Sequence, residues 1–408
     1  MSDRPVIVMK FGGTSVADGR GRTALARRVL AAIEAGSAPV VVVSAMGRSG
    51  APYATDTLLG LTEGLPADAR ERDLLASTGE VISAVVVAHE LRGAGVDAVA
   101  FSGADAGIVT DGTAGAAAIT EVHTAALRAA IDAGRVPVVA GFQGVGPDGT
   151  VTTLGRGGSD TSACALGVAL EAEAVEIYTD VDGVMSADPR TCGTAGVLDT
   201  IGAEELFQMA RHGARVVHTP AAELALGSGI PLRVRNTFSD HPGTRVADLR
   251  SYTPAGVATA VSHSGGITRV VVTLPAAEGT TEHMAAQAYI YRTMADVGVS
   301  LDMFTPVGET LVFTVPDAAV DSACDVLDTL GLAHVVTGGL AKVTLIGAGI
   351  HGVPGVMARM AGYLAEAGVH ILQTADSHTT ISALIPTEEC DSAVKALHEG
   401  FGLGSGAS

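Results

Sequence analysis

Residues 150–190 gather the densest set of groups able to do chemistry. The turn Gly155-Arg156-Gly157-Gly158 leads into Ser159-Asp160-Thr161 and a run of small apolar residues, and a later strand ends in Asp180, Asp182 and Asp188. Glycines let a backbone bend and approach a ligand closely. A helix start with free N–H groups beside an arginine is an anion site, and Ser159, Asp160 or Thr161 is expected to cap it. Arginine, amide-rich turn and carboxylates together suit a phosphate donor with Mg2+ and an anionic acceptor. Both polar clusters follow apolar strands (151–154 and 175–178), the edge at which open α/β sheets place ligands. That position separates them from glycine turns that only reverse the chain.

A second cation arrives by the same logic. Val6-Ile7-Val8-Met9 reads as a fully buried parallel strand, and it delivers Lys10-Phe11-Gly12-Gly13-Thr14-Ser15. A lysine at a strand end, followed by paired glycines, offers a point charge and free amides to phosphate oxygens. The segment is not a P-loop, because the G-x-x-x-x-G-K spacing is missing.

The elements that must hold these groups alternate. A helix is expected over 21–35 and a strand over 40–43, ending in Ser44, before a polar loop 48–56 that contains Thr55. Helical periodicity returns over 70–92 and carries Glu80, a position that by itself reads as solvated surface. A strand near 96–101, a helix near 122–133, a strand over 136–140 and a strand over 232–234 continue the alternation. The pattern predicts an α/β fold with a mainly parallel sheet covered on both faces.

The chain has 408 residues, 47% of them hydrophobic, and a net charge of −19. That charge excludes a general nucleic-acid or anionic-membrane binder, and any ATP site must gather its few cations locally. Trp is absent, which removes one stacking platform for bases. Cys164, Cys192, Cys324 and Cys390 lack C-x-x-C spacing and read as reduced, buried thiols of a cytoplasmic protein. The start carries no apolar signal segment, and no apolar run reaches membrane-spanning length without polar interruption.

The tail repeats itself. At an offset of 70 residues, Gly298-Val299 meets Gly368-Val369, Thr310 meets Thr380, Pro316 meets Pro386, and Asp321-Ser322-Ala323 meets Asp391-Ser392-Ala393. Each copy reads strand, helix, strand, strand, helix, a ferredoxin-like βαββαβ pattern. The expected domains are 1–246 for the catalytic unit, 247–266 for a linker, then 267–338 and 339–408 for the two repeats. Gly347-Ala348-Gly349-Ile350-His351-Gly352 fits G-x-G-x-x-G, but the strands that follow lie too close together for a parallel crossover, so a dinucleotide site is not expected. A loop gripping a small amino-acid effector explains those glycines better.

Lys10-Phe11-Gly12-Gly13-Thr14-Ser15, the turn 155–160 and the stretch 180–190, in that order, resemble the aspartate kinases of the amino acid kinase fold. The repeated tail looks like their paired ACT domains. Ala51-Pro52-Tyr53-Ala54-Thr55-Asp56-Thr57 and Gln373-Thr374-Ala375-Asp376-Ser377-His378-Thr379-Thr380 look most like the compact, diaminopimelate-sensitive branch. The resemblance implies transfer of the ATP γ-phosphoryl group to the β-carboxylate of L-aspartate. It assigns Lys10, Arg156 and Asp160 to catalysis, with Asp160 also organising Mg2+. Thr55, Glu80, Arg156, Gly157, Gly158 and Ser159 would hold aspartate. Lys10, Phe11, Gly12, Gly13, Ser44, Thr179, Asp180, Met185, Ser186, Ala187, Asp188, Pro189, Arg190 and Arg215 would line the ATP site; at Arg215 the family usually has lysine. Effector contacts are expected at Asp302, Phe304, Thr305, Gly352, Val353, Gln373, Asp376, Ser377 and Thr379. Lysine, threonine or diaminopimelate is the implied effector, and a homodimer or higher homo-oligomer through the ACT domains is the implied assembly. A related acyl-phosphate-forming kinase and a catalytically weak amino-acid sensor are the rival readings.

Overall fold

The computed structural model describes residues 4–66, 68–213, 223–224, 227–247, 256–275, 277–350 and 352–403. The chain forms two compact units. The first comprises Met1–Val184, Val197–Ala210 and Arg215–Thr253; the second comprises Met185–Gly196, Arg211–Ala214 and Pro254–Ser408.

The first unit is built on an eight-stranded sheet. Its spatial order is Thr200–Gly202, Thr244–Ala247, Leu232–Asn236, Ala174–Thr179, Val6–Phe11, Ala38–Val43, Val136–Ala140 and Ala98–Phe101. Every pairing is parallel except that between Leu232–Asn236 and Thr244–Ala247. Val40 to Val43 and Val8 have no exposed surface, as expected of β-branched residues in strands covered on both faces. Phe11, Leu25, Val29, Val41, Val43, Val87, Leu91 and Val138 form one core under the helices Gly19–Glu34 and Ala69–Gly93. A second, four-stranded sheet runs in the order Ile119–Val122, Ile108–Thr110, Gln143–Val145, Val151–Thr153.

The helix Ala69–Gly93 starts at Asp68, whose carboxylate accepts from Arg70 N at 2.8 Å. Its length and apolar composition suffice to cross a membrane. Yet its inward face buries Asp73, Ser77, Glu80 and Ser83 beside Ala76, Ala84, Val87 and Leu91. Buried polar groups demand specific partners, and three of these have them, as described below.

The second unit corrects the simple reading of a tandem repeat. Its six-stranded sheet runs Asp302–Val307, Thr310–Pro316, Ala260–Thr273, His334–Ile346, Thr380–Pro386, Gln373–Asp376. The two central strands are long enough to serve both copies. Ala260 to Ser264 pair antiparallel with Ile346 to Lys342, while Arg269 to Val272 pair with Thr337 to His334. Residues before the first copy therefore complete the sheet of the second. The stretch 247–266, expected as a linker, is strand from Ala260 onward, because its alternation Ala260, Val261, Ser262 meets an unpaired edge. Each copy packs its own helices over its own core: Val270, Phe313 and Leu327 in one, Val343, Leu364, Ile381 and Leu397 in the other.

Gly347 owes its place to close backbone approach. A Cβ there would stand 2.3 Å from Val257 O, so backbone packing by itself requires a glycine at this position; His351 lies outside the described residues. All four cysteines are free, with Cys164, Cys192 and Cys390 buried and Cys324 half-buried rather than buried. Burial pushes the Cys164 thiol upward, and that of Cys390 to about 11, so both stay protonated at neutral pH.

Candidate active site

Lys10 is placed by backbone pairing on both sides, opposite Val42 in one neighbouring strand and Ile177 in the other. Its Nζ sits 2.7 Å from Asp160 Oδ1, with both side chains only 12% exposed. Asp160 stands in the first turn of the helix Gly158–Ala169. The cap differs from the sequence expectation: Gly157, in a left-handed conformation with φ 71°, occupies it and no side chain caps the helix. Gly155 shares that φ. Such values are open to glycine at little cost, and the turn they build brings Arg156, Ser159 and Asp160 into one lining.

A cleft of about 480 Å³ opens here. Of the expected residues it is lined by Lys10, Gly13, Ser44, Thr55, Glu80, Arg156, Gly157, Gly158, Ser159 and Asp160. Lysine, arginine, two carboxylates and a run of glycines thus converge, although they come from five separate stretches of chain. Arg48, Asp56 and Phe142 join them. Arg48 Nη2 reaches Asp180 Oδ2 at 2.8 Å, and Asp180 also accepts from Thr179 Oγ1 at 3.2 Å.

Glu80 is the least foreseeable member. It is 3% exposed, not solvated. One oxygen, Oε1, accepts from Ala45 N at 3.1 Å, and Oε2 has no hydrogen-bond partner among the described residues. Burial in a low-dielectric surrounding raises its pKa to about 7, partly opposed by the Ala45 N–H. An acid half-ionised at neutral pH, with one idle oxygen, is set to receive a cation.

Gly13 shows how tightly the cleft floor is drawn. A Cβ at this position would lie 2.5 Å from Gly47 O and 2.8 Å from Ala45 O, both backbone atoms that cannot swing away. Gly13→Ala should therefore destabilise the protein by about 1–3 kcal/mol and lower phosphoryl transfer as Ser44 and Ala45 shift. Thermal melting with steady-state kinetics checks this; an unchanged melting point would contradict it.

Several expected contacts lie elsewhere. Phe11 has no exposed surface and stacks on Tyr178 with centroids 4.6 Å apart, so its side chain belongs to the core. Gly12 spends its N–H on Tyr178 O. Met185 to Arg190 belong to the second unit. Ser186 and Ala187 are buried there, Ser186 Oγ lying 2.9 Å from His398 Nε2 while its backbone bonds Gly196 and Val261. Their small side chains suit these buried positions. Asp188 and Arg190 close an ion pair on each other at 2.6 Å. Arg215 lies outside the described residues.

The expected effector residues fall into groups. Asp302 pairs with Lys342, and Gln373 Nε2 donates to the neighbouring Met303 O. Phe304 and Thr305 are exposed on the same strand, Phe304 meeting Tyr291 edge to face. Ser377 bonds Thr380 in the turn at 377–380, beside Asp376, and Thr379 O accepts from Gly347 N. Gly352 and Val353 are exposed.

Residues 5–236 match the amino acid kinase family and residues 335–399 the ACT domain. Aspartokinase 1 of Bacillus subtilis is 42% identical over 405 residues, covering 98% of this chain and 99% of that protein. The aspartokinase of Mycolicibacterium smegmatis is 40% identical, covering 98% and 96%. The crystal structure of E. coli aspartokinase III in complex with aspartate and ADP (R-state) superposes with a TM-score of 0.76 at 26% identity, over 97% of this chain and 99% of that one. The same enzyme in complex with lysine and aspartate (T-state) gives 0.78, also at 26% identity, over the same shares of the two chains. With its cleft of paired cations and carboxylates on a parallel sheet and its doubled C-terminal sheet, this chain belongs to the aspartokinase family.

Proposed function

We propose that the protein transfers the γ-phosphoryl group of ATP to the β-carboxylate of L-aspartate, giving 4-phospho-L-aspartate and ADP, under control of an amino acid bound by the ACT unit. The observation that carries the substrate is Glu80: a buried carboxylate with an idle oxygen in the same cleft as Arg156. An α-amino acid presents an ammonium and a carboxylate on one carbon. Glu80 meets the first, and the exposed guanidinium of Arg156 grips the second through parallel N–H donors. Thr55 and Ser159 contribute hydroxyls at the same lining.

The β-carboxylate is ionised at neutral pH and needs no general base. One of its oxygens bonds to the γ-phosphorus as the bond from that phosphorus to the β-phosphate oxygen breaks, and ADP leaves. Two anions must meet, so charge neutralisation is the main task. Lys10 Nζ exchanges Asp160 for the phosphate oxygens, and the helix Gly158–Ala169 turns its N-terminus, the positive end of its dipole, to the same cleft. Gly13 and Ser44 border the phosphoryl position. The donor set fits Mg2+, which is held through one or two carboxylates plus phosphate oxygens. Asp160 would hold it, and the ion would supply further neutralisation of the triphosphate.

Asp302 and Gln373, whose side-chain amide donates to Met303 O next to Asp302, and the 377–380 turn are the proposed effector contacts, with lysine, threonine and diaminopimelate the candidate ligands. The E. coli relative in complex with lysine supports that class. A homo-oligomer through the ACT sheet and a cytoplasmic location, in keeping with free thiols, complete the proposal.

Coupled ADP release over a panel of aspartate, glutamate and N-acetylglutamate tests the reading; turnover with aspartate alone supports it, and none above the ATPase background overturns it. Arg156→Ala should raise the aspartate KM about a hundredfold while melting stays unchanged, since the side chain is exposed. Activity insensitive to lysine, threonine and diaminopimelate, singly and together, removes the regulatory half.

A further inference from the structure

Asp73, Ser77 and Glu80 are spaced i, i+4, i+7 on the helix Ala69–Gly93, and all three are nearly inaccessible, at 3%, 4% and 3% exposure. That spacing puts them on one face. Glu80 belongs to the cleft already described. Asp73 does not line it; its hydrogen bonds account for a carboxylate buried there. Oδ2 accepts from Thr153 N at 2.9 Å and Gly115 N at 2.9 Å, and Oδ1 accepts from Thr153 Oγ1 at 2.7 Å. One turn on, Ser77 O accepts from Gln143 Nε2 at 2.8 Å.

Both tethered residues precede or adjoin groups that shape the site. Thr153 ends the strand Val151–Thr153, and the turn carrying Arg156 begins two residues later. Gln143 follows Phe142, which lines the cleft in a left-handed conformation with φ 70°, rare for a residue with a side chain. Leu154 N donates to Phe142 O at 2.9 Å, and Phe142 N donates to Ser162 Oγ at 3.0 Å. The turn is thus held at its entrance by Asp73 and on its flank by Phe142.

We propose that Asp73 is a positioning residue that fixes the separation between the ammonium clamp Glu80 and the carboxylate clamp Arg156, and so sets aspartate affinity. This inference rests on the reading of those two residues as substrate clamps. One rigid helix carries Glu80 directly and, two turns earlier, the anchor for the strand that presents Arg156. A carboxylate is the suitable anchor because it offers only acceptors, and every group facing it is a donor. Asparagine would turn an NH2 against an N–H of Thr153 or Gly115 and loosen the tether without emptying the space.

Asp73→Asn should raise the aspartate KM by about tenfold to a hundredfold, the range expected of a misplacement near 1 Å in an oriented site. Its kcat should stay within about threefold of wild type and its ATP KM should not move. Thr153→Val, which removes the Oγ1 bond to Asp73 and keeps the shape, should shift the aspartate KM in the same direction by less. Hydrogen exchange gives a readout independent of turnover: peptides spanning 151–160 should exchange faster in Asp73→Asn, with the strands 6–11 and 38–43 unaffected. Unchanged exchange in 151–160 overturns the proposal whether or not the wild type turns over aspartate. A parallel loss of kcat, both KM values and melting temperature also overturns it, because a general structural defect would do that. Wild-type inactivity with aspartate instead strikes the function proposed above.

Discussion

Replacing Lys10 by alanine should lower kcat for ADP formation with aspartate by about 10²–10³, the usual cost of removing one preorganised donor from a transition-state anion. The aspartate KM should change little, since Lys10 faces the phosphates and not the amino acid. The expectation is sharp because the ammonium is placed by a strand hydrogen-bonded on both sides and is 12% exposed. No other lysine or arginine among the lining residues is as enclosed; Arg48 and Arg156 are both exposed. Removing Lys10 also leaves Asp160 without its 2.7 Å ion pair, so some loss of stability accompanies the variant. Lys10→Met, which keeps most of the aliphatic stem, restores the packing but not the ion pair, so any stability it regains should leave kcat as low as in Lys10→Ala. A kcat within about threefold of wild type in both variants would remove Lys10 from phosphoryl transfer.

How far the sequence reveals this site depends on whether a residue's role is local. Lys10, Gly13 and Arg156 were legible because an apolar strand or a glycine turn announces them within a few positions. The same holds for the alternation that builds the parallel sheet, and for the repeat that builds the second unit. What pattern could not show is set by distant chain. Glu80 looks like surface until the 44–54 loop covers it and Ala45 N meets Oε1. Asp73 acquires its meaning from Gly115 and Thr153, 42 and 80 positions away. The strand at 260–264 has no partner in its own copy of the repeat and finds one at 342–346. The surroundings of Ser186 and Ala187, expected near the nucleotide, were hidden for the same reason: their neighbours in space include His398 and the core around Val343.

Glu80 gives the second large effect, and it is readable by pH. With a pKa of about 7 in the free protein, the carboxyl is largely neutral at pH 6 and largely charged at pH 8. Only the charged form pairs with a substrate ammonium. Since kcat/KM reports ionisations of the free enzyme, kcat/KM for aspartate should climb by about tenfold per unit below pH 7 and level off above it. At saturating aspartate the ammonium holds Glu80 ionised, so kcat should be much flatter over the same range. Glu80→Gln retains an acceptor for Ala45 N and loses the charge. It should lower kcat/KM at pH 8 by about a hundredfold and abolish the slope.

The same shift predicts stability with the opposite sign to activity. The folded pKa of about 7 lies above the ordinary value of 4.5, so between them the native protein binds a proton that the unfolded chain has released. Stability is therefore greatest below pH 4.5 on this account and falls as pH rises to about 7, by about 3 kcal/mol for a shift of this size. Glu80→Gln escapes that loss and should melt several degrees above wild type at pH 8, by about 2–4 °C or more for a chain of this size. Adding aspartate should narrow the gap, because binding restores the missing counter-charge to wild type alone. A variant that matched wild type in both pH profile and melting would leave the buried carboxylate without a part in substrate binding. A variant more stable and less active at once is the signature of a charge buried for its ligand.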